Sequence, residues 1–214
     1  VGSWAVNANT TGTYNVGVGC SALYANTTGD KNTALGWHAL DSNTTADKNT
    51  AIGYKALKSI TTNSQCTAVG FIALVDNTGA YNTAVGVNAL LENSTGSNNN
   101  AFGHGALDAN TTGEENCAFG KNALGASNAS NCSAFGDAAL AANTSGTRGT
   151  AVGNNALTAN TTGNYNTALC DSCLANNTTG ANNTSVGRAS LSTQTTASNN
   201  TAVGADVLLS LIHI

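Results

Sequence analysis

Few side chains in this sequence are of kinds that do chemistry, and they are scattered. Cys170 and Cys173 stand in the string CDSC, the spacing of a redox pair or of half a zinc site. Cys20, Cys66, Cys117 and Cys132 complete the cysteines. Asp30 and Asp47 lie 17 residues apart, each followed by a lysine, Lys31 and Lys48. Two stacked carboxylates of this sort would make a weak cation site, which the lysines beside them oppose. Glu114 and Glu115 are adjacent turn residues rather than an opposed acid and base. Trp37, Tyr54 and Phe71 recur at the same 17-residue spacing. A row of surface aromatics can contact the apolar faces of sugar rings, or can stack simply to hold its own neighbours together.

That recurring interval belongs to the whole chain. The unit Asn-Thr-Ala-(Val/Ile/Leu/Phe)-Gly-x-x-Ala-Leu-x-x-Asn-Thr-Thr-Gly-x-x is repeated thirteen times. Its key glycine, numbered zero below, falls at Gly2, Gly19, Gly36, Gly53, Gly70, Gly86, Gly103, Gly120, Gly136, Gly153, Gly187 and Gly204, with Cys170 in one slot. The step is 17 residues ten times and 16 twice. A short fixed period means stacked units, none of which can bury its apolar face alone. Seventeen residues are too few for a helix pair and suit one coil of a parallel β-solenoid, with two short strands and two tight turns expected per coil. Thr and the aliphatic residues favour strands, and Asn and Gly favour corners. Thirteen coils stacked at about 4.8 Å would make a rod roughly 60 Å long.

Register then assigns roles. The core is expected from two columns. One is the leucine at +4: Leu23, Leu40, Leu57, Leu74, Leu90, Leu107, Leu124, Leu140, Leu157, Leu174 and Leu191. The other is the apolar residue at −1, from Leu35 and Ile52 to Phe102, Phe119 and Phe135. Asparagines at −4 and +7 are expected to form side-chain ladders, as stacked amides do in cross-β assemblies. A glycine near +10, such as Gly29 or Gly113, is expected to supply a positive-φ corner. Charged residues fall only at +1, +2, +5, +6, +11 and +12, which marks those positions as solvent-facing.

The same register dissolves most of the apparent chemistry. CDSC overlays the ordinary Gly-x-x-Ala, so its cysteines read as small buriable substitutions. Cys117 at −3 and Cys132 at −4 would point to opposite sides of a strand, which opposes a disulfide. His38 and His104 stand in different columns and make no metal pair. Lys121 with Asp137, and Asp171 with Arg188, are expected as weak surface ion pairs. The Asn-x-Thr sequons follow from the repeat and say little about glycosylation. No catalytic residue, metal ligand or cofactor is assigned.

Charged residues make up 8% of the chain and the net charge is −4, which gives no basic footprint for nucleic acid. No apolar run approaches the ~20 residues that cross a bilayer. Val1 enters in mid-repeat and the chain has no methionine, so residues 1–208 read as one fragmentary array. Residues 209–214, LSLIHI, match the translation of a transposon sequencing adapter and are expected to be an artefact of a metagenomic read.

The strands NTALG (Asn32–Gly36), NTAIG (Asn49–Gly53) and NTAVG (Asn82–Gly86, Asn200–Gly204) resemble the head repeats of YadA-type trimeric autotransporter adhesins. The longer unit with AL and NTTG (Asn26–Gly29, Asn110–Gly113, Asn160–Gly163) is also similar to repeats of phage tail fibres and large bacterial surface proteins. The resemblance covers residues 1–208, although the unit is longer than the adhesin-head repeat. It implies a left-handed β-roll wound as a homotrimer, placed on a bacterial surface or a virion. The small residues at −2 and 0 also suit close packing of one chain on another.

The expected function is a non-enzymatic extracellular rod for attachment. Its partners would be further copies of itself and a host-surface glycan or protein, with no nucleic acid and no membrane insertion of this segment. Trp37, Tyr54 and Phe71 are the candidate glycan contacts. Two alternatives are an ice-binding solenoid, using the threonines at −3, and a non-catalytic segment of a carbohydrate-degrading tailspike. The threonine column counts against ice binding because it is interrupted by Asn100, Cys117 and Ser133, and because it is assigned to the inward face.

Overall fold

Each coil contributes one three-residue strand that ends just before the key glycine. The structure, a computed structural model, describes residues 2–208. Its strands run from β1 (Val16–Val18) and β2 (Thr33–Leu35) through β6 (Asn100–Phe102), β7 (Cys117–Phe119) and β8 (Ser133–Phe135) to β12 (Thr201–Val203). All twelve pair in parallel, in chain order, in one sheet. Equivalent residues face each other coil after coil, as Thr33 on Thr50, Ala34 on Ala51 and Leu35 on Ile52. The fold is therefore an all-β parallel solenoid. The adapter-like tail at 209–214 lies outside the described residues.

The 16-residue steps do not disturb this register: Thr67 pairs with Thr83 and Cys117 with Ser133. The missing residue comes from the Asn-Thr-Thr-Gly corner, which shortens to Asn77-Thr78-Gly79 in one coil and Ser127-Asn128-Ala129 in the other. A corner absorbs a deletion that a ladder would not.

One strand, not two, forms per coil. Beyond the key glycine the backbone alternates into the left-handed region, at His38 (φ 53°) and again at Leu40 (φ 52°), which no strand accommodates. The turn segment is nevertheless stitched from coil to coil. The His38 N–H donates to the Cys20 carbonyl at 3.0 Å, and the Leu40 N–H donates to the Ala56 carbonyl at 3.1 Å. Alternate N–H groups of this segment are thus paired along the axis, as Ser42 N–H to the Lys58 carbonyl at 3.0 Å also shows. The third left-handed position is +12, at Lys31 (φ 58°) and Lys48 (φ 59°), not the glycine near +10. Gly29 is small for another reason: a Cβ there would lie 2.4 Å from the Ala46 carbonyl oxygen. The key glycine meets both demands, since Gly36 has φ +141° and a Cβ would sit 2.3 Å from the Gly53 oxygen.

All eleven leucines of the +4 column, from Leu23 to Leu191, are fully buried. Their partners across the interior are the alanines at −2 and +3, not the larger residue at −1. A Cβ added at Gly17, a −2 position, would meet the Val6 methyl at 2.5 Å, and the Ser185 hydroxyl at −2 donates to the Ser190 carbonyl at 2.9 Å. In a three-residue strand, turning the middle residue inward turns both neighbours outward. The expectation that the −1 column is core is therefore overturned: Leu35 is 46% exposed, Phe119 and Phe135 are exposed, and Phe102 is only partly covered. The threonines at −3, also assigned inward, lie on the same outer face. Between strand and turn segment the interior is filled by one leucine packed against alanine, and a second large apolar side chain enters it only at the corner, as Ile60 does.

Both asparagine columns are buried, and each works differently. At +7 the amides stack on one another: Asn43 Nδ2 donates to Asn26 Oδ1 at 2.6 Å, and Asn110 Nδ2 to Asn93 Oδ1 at 2.8 Å. At −4 each amide tethers backbone instead. Asn32 Nδ2 donates to the Ala46 carbonyl at 2.8 Å, while its Oδ1 accepts the Asn49 N–H at 3.0 Å. Where cysteine replaces asparagine at −4, the thiol takes over the donor role: Cys66 Sγ lies 3.4 Å from the Gly79 oxygen and Cys132 Sγ 3.3 Å from the Gly146 oxygen.

Candidate binding surfaces

Two surfaces carry the side chains that a partner could use, a row of aromatics and the outer face of the sheet. The row is the ladder expected from spacing. Trp37 stacks on Tyr54 with ring centroids 4.9 Å apart and planes 11° apart, and Tyr54 stacks on Phe71 at 5.0 Å and 9°. Lys55 Nζ sits 5.5 Å from the Trp37 ring centre and 5.3 Å from that of Tyr54. The rings are exposed at their edges, but their inner faces cover one another. A sugar ring stacks on an aromatic face, and the facing sides of these three rings are already taken by one another.

The second surface is the outer face of the sheet. Its −1 column runs from Val18 through Leu35, Ile52, Val69 and Val85 to Phe102, and onward to Val203. Phe102 stacks on Phe119 at 4.3 Å, and Phe119 on Phe135 at 5.3 Å, with both pairs near parallel. The threonines at −3 flank this stripe. The result is a regular, largely apolar strip along the length of the sheet. Spacing alone did not reveal it, because an alternating Thr-Ala-Val can be inverted without changing its period.

The cysteines form no bonds with one another: all six are free thiols. Burial pushes the thiols of Cys66 and Cys132 up, and takes that of Cys173 up to about 11. These are inert, protonated groups rather than nucleophiles. Cys173 Sγ points at the Cys170 carbonyl, 2.7 Å away, within its own turn. Among the described residues no group of three or more His, Cys, Asp and Glu side chains gathers to hold a metal ion.

The acidic pair at +11 has a structural task that spacing did not show. Asp30 Oδ1 accepts the Thr13 N–H at 2.6 Å and its hydroxyl at 3.0 Å, and Asp47 Oδ1 accepts the Asp30 N–H at 2.7 Å. Ser64, Ser130 and Asn164 do the same in other coils, so this column is a third ladder. The Thr13 backbone N–H holds the Asp30 carboxyl below the usual range. Of the ion pairs expected at +1, Arg188 turns to Asp206 instead of Asp171, at 2.6 Å, and Lys121 with Asp137 is not at ion-pair distance. His38 finds a carboxylate that the register had not offered it, as Nδ1 lies 3.0 Å from Asp41 Oδ2.

No family model matches the chain, and no curated protein or solved structure matches it. No helix among the described residues is long and apolar enough to cross a membrane.

Proposed function

We propose that this chain is a segment of a non-enzymatic extracellular rod, from a bacterial surface adhesin or a phage tail fibre. It associates with two further copies of itself and serves attachment. The observation that carries this reading is the outward −1 column. A continuous apolar stripe of Val, Leu, Ile and Phe along a whole sheet is far larger than the isolated exposed hydrophobics of an ordinary surface. A second copy of the same rod carries the same stripe at the same spacing, so copies match along their full length without any new sequence requirement. A closed ring of three would turn every stripe toward the common axis, an arrangement that cyclic symmetry permits. Purified protein is expected to run as a trimer in light scattering, and Phe119→Asp together with Leu35→Asp is expected to release folded single chains.

The threonine column supports a second reading. It faces outward beside the aliphatic stripe, which is the geometry an ice-binding face needs and which a sequence-based inward assignment had denied it. Asn100, Cys117 and Ser133 interrupt the column beside the bulky Phe102, Phe119 and Phe135, so the middle third of the face suits protein contact better than an ordered water lattice. A thermal hysteresis assay with clear ice shaping would place this reading first.

A further inference from the structure

A recess that the sequence did not announce lies neither on the sheet nor on the aromatic ladder. It lies in the turn face of the first three coils, where position +2 holds Trp4, then Ser21, then His38. Serine between two large rings leaves a gap in that column. The gap opens into a cavity of about 320 Å³ lined by Trp4, Ser21, Tyr24, His38 and Asp41. That is at the lower end of small-ligand pockets. Tyr24 and Asp41 belong to one column, +5, so the two walls are rigidly spaced by the coil repeat itself.

The chemistry of this lining is specific. Trp4 and Tyr24 are the aromatics of the lining. Asp41 supplies a carboxylate, and Ser21 supplies a hydroxyl whose nearest polar contact is the weak one to Cys20 Sγ at 3.9 Å. His38 Nδ1, at 3.0 Å from Asp41 Oδ2, is out of line for a hydrogen bond, so this buried nitrogen lacks a well-directed partner. The His38 ring also meets the Trp37 ring edge-on at 3.8 Å, which joins the recess to the Trp37 end of the Trp37–Tyr54–Phe71 stack.

We infer that this recess binds a neutral saccharide unit, with one pyranose in the cavity. Aromatic walls cover the C–H face of the sugar, and the Asp41 carboxylate accepts from vicinal hydroxyls. His38 and Ser21 offer further partners for those hydroxyls. Polar groups of this kind fix orientation in an otherwise apolar pocket. The Asp41 carboxylate in the lining disfavours an acidic sugar. The inference deepens the attachment reading above and rests on it for the biological source of the glycan, but not for the pocket.

The test uses the whole chain with Trp37→Phe, which keeps the stack and leaves Trp4 as the single tryptophan. Its fluorescence is titrated with tetrasaccharides of β-linked glucose and N-acetylglucosamine, with sialyllactose and with phosphocholine. A saturable change with one of the neutral sugars is expected. Asp41→Asn should weaken it about tenfold, as loss of a charged hydrogen-bond acceptor does. Ser21→Leu, which fills the gap, should abolish it while circular dichroism stays unchanged. A response to phosphocholine or sialyllactose alone, no response to either neutral sugar, or unchanged binding in a folded Ser21→Leu variant would overturn the inference. Mass measurement on the same samples reports separately on self-association, so failure of the pocket and failure of the trimer are told apart.

Discussion

Asn43 carries a buried amide oxygen that nothing bonds, because the next rung of its ladder is Ile60. The same defect recurs wherever the +7 column is interrupted. The Asn110 oxygen faces Ser127, and the Asn177 oxygen faces Gln194; both are buried and unpartnered. Orphan acceptors therefore mark the points where the repeat departs from its own rule, and each costs the fold about 1–3 kcal/mol.

Restoring a rung should stabilise the rod. Ser127 is the cleanest site, since asparagine already fits a shortened coil at Asn77, whose Nδ2 reaches the Gly79 carbonyl at 2.7 Å. Ser127→Asn is expected to raise unfolding free energy by about 1 kcal/mol, read from the midpoint of denaturant unfolding. An unchanged or lowered midpoint would mean that the orphan oxygen is not what limits this coil.

Cys170 is the one residue other than glycine in the key slot, and it holds φ at 144°. Non-glycine residues in that region cost on the order of 1–3 kcal/mol. Cys170→Gly is expected to stabilise the chain by about that amount, and Gly36→Ala to destabilise it, because its Cβ would lie 2.3 Å from the Gly53 oxygen. Thermal unfolding of the two variants, compared with the parent chain, checks both signs.

Acid should loosen the first coils through Asp30. Its carboxyl is held below the ordinary range by the Thr13 N–H, so its folded value lies under its unfolded one. The stabilisation is fully present above the unfolded value and is lost as pH falls through the folded one. Asp30→Asn keeps an Oδ1 acceptor but cannot titrate. Amide exchange at Thr13 is expected to quicken on acidification below the usual aspartate range in the parent and to lose that extra pH dependence in the variant.

The period, the parallel stacking and the buried leucine column were all legible in the sequence, because a near-constant step and a leucine recurring in one slot leave one geometric solution. The direction of the strand was not. Thr-Ala-Val alternates whichever way it faces, and apolarity argues for turning Val inward. The structure turns Ala34 inward instead, because Leu40 already fills the interior. Charged positions were read correctly as outward, but absence of charge at −1 did not make that column buried. For the candidate sites, spacing found the Trp37–Tyr54–Phe71 stack and missed the recess at Ser21. A gap is made by what a column lacks, and it is visible only once Trp4, Tyr24 and Asp41 are placed around it. The role of Asp30 was hidden for a related reason: its partner is a backbone N–H of the coil before.

The outward stripe gives the most direct test. Each chain has a mass of 21.2 kDa. Light scattering of the purified, folded chain at low micromolar concentration should give three times that mass, falling to one chain when Leu35 and Phe119 are both changed to aspartate with the fold intact. A parent chain that is folded and monomeric across that range would contradict the self-associating rod.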